Sequence, residues 1–278
     1  MTHSVKSSAT APQASPAENL GAWALITGAS SGLGREFALL AAASGLTPVL
    51  CARRESALKE TAAIVKQQTG RGAVIRPADL SEPEVVRRLA DELLEAHGAP
   101  AVLINNAGFG AFRPILDEDD ALCERMIALN ALAPILLAQR MGRAMRSQGG
   151  GRILNVASTA AFQPCPNLGV YGATKAFLLS ASEAMSEELR GTGVTVTALC
   201  PGPTRTNFGT AAGLEADSPF DRYAADAATV ARFGWRAMMA GKPVAVEGAL
   251  NAFVAVVAQL APRTLTRRIA GLLLAKMK

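Results

Sequence analysis

Acidic residues run out before the chain does. After Glu247 there is no aspartate or glutamate, while Arg263, Arg267, Arg268, Lys276 and Lys278 follow, and these five cations equal the whole formal excess of +5. The rest of the chain balances near zero, which argues against a basic body built to bind nucleic acid. Histidine is almost missing. His3 lies in the N-terminal tail and His97 near a helix end, so acid–base chemistry has to rest on another residue type. The four cysteines, Cys51, Cys123, Cys165 and Cys200, show no C-x-x-C or paired spacing. That pattern points to neither a metal site nor a disulfide framework, and a reducing cytoplasm is the expected location. No uninterrupted apolar run approaches the roughly 20 residues of a spanning helix. Residues 1–20 combine Ala, Ser, Thr and Pro with one lysine and no apolar centre, the pattern of a disordered tail rather than a signal peptide.

Half of the 278 residues are hydrophobic, ample for a sizeable core. Short apolar runs alternate with helical patterns throughout. The runs are 22–26, 48–51, 73–76, 101–104, 152–156, 194–199 and 243–246, and a long helix is expected over 119–146. This alternation predicts an α/β fold with a doubly wound parallel sheet of about seven strands, Rossmann-type. Ser81 with Glu84 reads as a capping box opening a helix that buries Val85, Leu89 and Leu93. No linker divides the series, so 21–248 reads as one domain, preceded by the tail 1–20 and followed by a helical extension, 249–278.

In such sheets a ligand lies outside the carboxyl ends of the strands. The suggestive residues fall there at six strand ends. After the first strand comes Thr27-Gly28-Ala29-Ser30-Ser31-Gly32-Leu33-Gly34, a G-x-x-x-G-x-G turn opening a helix. Glycines let the backbone turn sharply and approach a ligand, and a helix start offers N–H groups and a positive dipole end to phosphate. The plain alternative is a glycine-rich turn with no ligand. The second strand ends in Cys51-Ala52-Arg53-Arg54, with no carboxylate to receive the ribose hydroxyls of NAD. Arg53 offers a donor fork suited to a 2′-phosphate, which favours NADP(H), unless Arg53 and Arg54 are simply solvated. Asp79 and Leu80 follow the third strand, Asn106, Ala107 and Gly108 the fourth, Ser158 the fifth, and Pro201 and Gly202 the sixth.

Tyr171 and Lys175 stand four apart on one helix face. A free phenol, with a pKa of about 10, exchanges protons poorly near neutrality, and a neighbouring ammonium is expected to lower it. Ser158 would hold a substrate oxygen. Taken with Asn130, the run Tyr171–Lys175 and Pro201-Gly202, these motifs make residues 21–208 resemble the short-chain dehydrogenase/reductase family. The resemblance implies a sheet order 3-2-1-4-5-6-7 and hydride transfer between a nicotinamide and a carbonyl or carbinol carbon. It implies Tyr171 as the acid–base residue, Lys175 as its tuner and a ribose contact, Ser158 as the oxygen anchor and Asn130 as a water organiser. Ser30, Ser31 and Leu33 join the glycines around the cofactor, Asp79 accepts from the adenine amino group, and Thr204 and Thr206 hold the carboxamide. A homodimer or homotetramer is expected. A non-catalytic NADP(H)-binding regulator on the same fold would need the rim but not Ser158, Tyr171 and Lys175.

Pro134 cannot donate to the carbonyl of residue 130. Either that carbonyl holds a water for a proton relay or the proline only bends the helix. Phe109, Phe112, Phe162 and Leu168 are apolar walls for the substrate or parts of the core. The branch of the family that this chain resembles is similar to 3-oxoacyl and 17β-hydroxysteroid reductases, which implies a hydrophobic ketone. The loop 207–223 is the expected lid. The extension 249–278 docks on its own domain, pairs with another subunit or lies on an anionic membrane.

Overall fold

Every residue of β1 (Trp23–Thr27) is buried, and its side chains alternate between two separate cores. A computed structural model describes residues 21–213 and 224–275. The expected tail 1–20 and most of the expected lid lie outside those residues. Six further strands join β1: β2 (Thr47–Ala52), β3 (Val74–Pro77), β4 (Val102–Asn105), β5 (Gly151–Val156), β6 (Val194–Cys200) and β7 (Val244–Val246). They form one parallel sheet in the order β3-β2-β1-β4-β5-β6-β7. The expected Rossmann-type topology is what the chain adopts. β1 pairs on one side with β2, Leu25 against Val49, and on the other with β4, Leu25 against Leu103. Strand order reverses between β1 and β4, and the cleft opens there.

Helices cover both faces. On one side α1 (Gly32–Ala43), α2 (Glu55–Thr69) and α8 (Ala227–Met239) bring Phe37, Leu58 and Met238 against Ala24, Ile26, Leu50 and Ile104. On the other, α3 (Pro83–His97) and α5 (Ala133–Gln148) bring Leu93, Leu137 and Met141 against Trp23, Leu25, Val49 and Leu103. Burying one such side chain fully is worth about 1.5–3 kcal/mol. Two more helices complete the catalytic side, α4 (Asp120–Ile127) and α6 (Gly169–Glu188), and α7 (Phe208–Ala211) is a single turn. Two-residue strands at Thr204–Arg205 and Ala225–Asp226 form a separate small ladder. The extension folds into α9 (Ala249–Leu260) and α10 (Arg263–Ala275).

Three local expectations are corrected. The capping box does not form. Glu82 is the residue before α3 and makes no side-chain cap, because the Ser81 hydroxyl is drawn back to Asp79 at 2.7 Å. The helix buries Val86 with Leu89 and Leu93, and Val85 is only half-buried. The third concerns length. From Asp120 to Gln148 the helical path runs 29 residues, and one stretch has a mean hydropathy of 1.6, long and apolar enough to span a membrane. Counting uninterrupted runs missed it because Arg140, Arg143 and Arg146 break the pattern. Here it is a core helix, with Met141 and Met145 fully buried. Its middle is a π turn, Ala128–Leu132, where the Ala133 N–H reaches back to the Ala128 carbonyl just before Pro134. The hydrogen-bond ladder thus widens one residue before the position that has no N–H to give.

A buried polar chain ties the layers together under the cleft. Asn105 on β4 donates to the Asn155 side chain on β5 at 2.9 Å and to the Pro134 carbonyl at 3.2 Å. Asn155 donates in turn to Ser182 of α6 at 2.8 Å. Asn155→Ala leaves a buried donor on Asn105 without its acceptor. It is expected to destabilise the fold by about 1–3 kcal/mol, read as a lower urea midpoint at unchanged slope.

Candidate active site

One hydroxyl joins the two turns that flank the reversal. Thr27 Oγ donates to the Ile104 carbonyl and accepts the backbone N–H groups of Asn106 and Ala107, at 2.9 and 3.0 Å. The Asn106 amide returns the contact, donating to the carbonyls of Thr27 and Gly28. Asn106 therefore both lines the cleft and clamps the first turn. The glycine turn itself is packed to backbone contact. A Cβ on Gly34 would lie 2.2 Å from the Gly28 carbonyl oxygen, so only glycine permits this entry into α1. Ser31 precedes α1 without a side-chain cap. The first N–H groups of the helix are left to a ligand, at the end where the dipole favours an anion.

The rim encloses a cleft of about 660 Å³. Gly28, Ser30, Ser31, Gly32 and Leu33 line it from β1, Arg53 from β2, Asp79 and Leu80 from β3, and Asn106, Ala107 and Gly108 from β4. Ser158, Pro201, Gly202, Thr204 and Thr206 close the far side, with Tyr171 and Lys175 on the floor. Gly34 and Asn130 do not reach the cleft surface. Both are buried behind it, one against the glycine turn and the other beneath Phe109. Burial pushes the Asp79 carboxyl up. Hydrogen bonds from the Ser81 hydroxyl and N–H, with the Arg53 charge, outweigh this and hold it below the usual carboxylate value. Arg53 itself is exposed, free to turn toward a phosphate. An extended nucleotide fits this cradle: glycine backbone at one end, an uncapped helix start, and a guanidinium where β2 stops.

The chemical centre lies where α6 meets the ends of β5 and β6. Tyr171 and Lys175 are 9% and 4% exposed, and the ammonium sits 5.7 Å from the centre of the Tyr171 ring. Burial pushes the phenol up to about 12, opposed by a hydrogen bond with the Ser158 hydroxyl. Burial also pulls Lys175 down to about 8, and its Nζ donates to the Val156 carbonyl at 2.7 Å. The expected lowering of the phenol by the ammonium is therefore overridden. Loss of water outweighs the pair, and the lysine is turned to a backbone oxygen. Asn130, fully buried, accepts from the Phe109 N–H at 3.1 Å and donates to the Phe109 carbonyl and to Thr174. Thr174 in turn donates to the Tyr171 carbonyl at 2.7 Å. The π turn thereby fixes the backbone that carries the tyrosine. A Cβ on Gly108 would come 3.0 Å from Asn130 Oδ1 and 3.4 Å from the ammonium, which explains glycine there.

Beyond the tyrosine the walls are apolar. Phe109 and Leu168 line the cleft, whereas Phe112 and Phe162 pack in small clusters behind it. The sequence reading did not single out Phe208, whose ring lies 5.1 Å from that of Tyr171, nor Cys165 beside it. It also left the place of the extension open. Val254, Val257, Leu265, Ile269 and Leu274 line the same cleft. The 3.6-residue spacing of these positions carried the only signal available, one stripe on each helix.

Residues 22–216 match the sequence model of the short chain dehydrogenase family. The probable oxidoreductase EphD of Mycobacterium tuberculosis is 34% identical over 194 residues, 69% of this chain but 32% of that protein, so the match spans about a third of that relative's length. A short-chain dehydrogenase from Sphingobium yanoikuyae, solved with NADPH, is 30% identical with a TM-score of 0.76, covering 84% of this chain and 92% of that one. A short-chain dehydrogenase/reductase from Burkholderia phymatum, solved with NAD, is 26% identical with a TM-score of 0.77, covering 85% and 92%. Matched by the family model over residues 22–216 and by solved members over more than four-fifths of its length, the chain belongs to the short-chain dehydrogenase/reductase family.

Proposed function

We propose that the protein is an NADP(H)-dependent reductase of a hydrophobic ketone, such as an oxoacyl chain. The observation that carries this reading is the meeting of Ser158, Tyr171 and Lys175 on the floor of a cleft whose other half is a nucleotide cradle. When bound, the nicotinamide supplies the hydride. The chain supplies the rest. Tyr171, protonated across neutral pH because burial holds its phenol at about 12, donates the proton to the carbonyl oxygen as charge develops there. Ser158 hydrogen-bonds the same oxygen and fixes its distance from the phenol. Lys175, on the next turn of α6, stabilises the phenolate left behind, a role that requires its ammonium to swing from the Val156 carbonyl. Phe109, Leu168 and Phe208, with the inner stripes of α9 and α10, exclude water and accept an apolar body.

NADP(H) is preferred over NAD(H) in this reading because β2 ends in Ala52 and Arg53 with no acid. A guanidinium meeting a phosphate makes paired, charge-assisted hydrogen bonds, and an aspartate at Ala52 would repel it.

Tyr171→Phe keeps the ring and removes the proton. Turnover is expected to fall by about 10²–10⁴ while NADPH binding survives. Turnover at the wild-type rate in this variant would remove Tyr171 as the proton donor, and NADPH binding with no turnover of any carbonyl compound by the wild type would favour the non-catalytic regulator instead. Ala52→Asp combined with Arg53→Leu is expected to shift the NADPH-to-NADH ratio of kcat/KM by about ten- to a hundredfold toward NADH. Equal wild-type affinity for the two cofactors would remove Arg53 from the argument. Lys175 gives a pH test. Its ammonium is complete below about 8 and lost above it. NADPH binding should therefore weaken as pH rises through that value, by up to about tenfold per pH unit. In calorimetric titrations Lys175→Met should bind more weakly at pH 7 and show no such slope.

A further inference from the structure

The extension has two sides, and only one is used by the cleft. On α9, Val254, Val257 and Ala258 face inward and Ala255 is buried. The opposite stripe, Leu250, Phe253, Val256 and Leu260, is 74%, 65%, 54% and 81% exposed. Of the fifteen large exposed hydrophobic side chains among the described residues, five (Leu250, Phe253, Val256, Leu260 and Leu272) lie on the extension outside the cleft lining. No charge interrupts the chain from Gly248 to Pro262. Beside this stripe α10 carries Arg263, Arg267 and Arg268, all exposed.

We propose that this face seats the protein on a lipid surface bearing anionic headgroups. Apolar side chains outward on a short helix, arginines beside them and no acid after Glu247 are complementary to an acyl layer edged by negative charge. A second copy fits less well. In a twofold pairing of these faces neither extension offers a carboxylate to meet the other's arginines. Spanning is excluded for α9: 12 residues rise about 18 Å, against a hydrocarbon core of roughly 30 Å. The helix therefore lies in the plane of the surface, with the cleft opening beside it. Direct uptake of an apolar ketone from the acyl layer rests on the reductase reading, but the membrane contact does not.

The test uses the full chain, without substrate or cofactor, sedimented with vesicles of phosphatidylcholine alone or mixed with phosphatidylglycerol. The wild type is expected to sediment with the mixed vesicles and to be released by salt. Phe253→Ser with Leu260→Ser, at exposed positions, should weaken binding by at least about tenfold. Arg267→Gln with Arg268→Gln should weaken it by about fivefold per residue on anionic vesicles only. The arginine pair tests the charge contribution even if the serine pair fails to fold, and melting by circular dichroism reports that. Wild type that stays in solution with both lipids overturns the proposal, as does binding that neither pair alters. So does a dimer in lipid-free solution whose mass falls to that of the monomer in the serine pair, which would give this face to a second copy.

Discussion

A single threonine hydroxyl holds the architecture of the cleft together. Thr27 is the last residue of the first strand, and the strand on its far side arrives only after three helical crossovers. Parallel strands end in backbone groups that have no partner, and two turns leaving adjacent strands in different directions would splay. The hydroxyl takes two N–H groups from the later turn and gives its proton to the strand beneath, all inside the protein. Valine has the shape to replace it but none of the hydrogen bonds, and the N–H groups of Asn106 and Ala107 would lose their acceptor. The glycine turn, the uncapped start of α1 and the backbone at Gly108 all take their positions from this joint.

The electrostatics of the site follow from the same close packing. Tyrosine and lysine so near each other are usually pictured as an ion pair in waiting. Here burial opposes both charges, raising the phenol and depressing the ammonium. At neutral pH the phenol keeps its proton, and the lysine, though depressed, is still largely an ammonium.

Much of this was legible in the sequence because the relevant signals are local. The apolar runs are short and separated by helical patterns, so the parallel sheet and its rim of strand ends could be read directly. Tyr171 and Lys175 needed only helical spacing to be placed together. What stayed hidden depends on partners remote in sequence. Asn105, Asn155 and Ser182 look like ordinary polar residues until β4, β5 and α6 converge. Phe208 opens α7, whose approach is set by Thr206 packing on Gly32. Ser81 was misread because a capping box and an aspartate two residues upstream compete for one hydroxyl, and the nearer acceptor won. The extension showed its two stripes but not which would turn inward, since both are equally apolar.

The parallel sheet has a consequence for the order in which the molecule can form. No neighbouring strands in it are joined by a hairpin, so no pair can close through a tight local turn. β1 finds β2 after one helix, but its other edge waits for Val102–Ile104, and Thr27 cannot make its bonds until Asn106 and Ala107 exist. Loop closure over such a span is entropically slow, and parallel pairing repays it late. A chain emerging from the ribosome would therefore hold an open β1 edge through the whole synthesis of α2, β3 and α3. Its most exposed interval ends when β4 docks, well before the residues that carry the chemistry have been made.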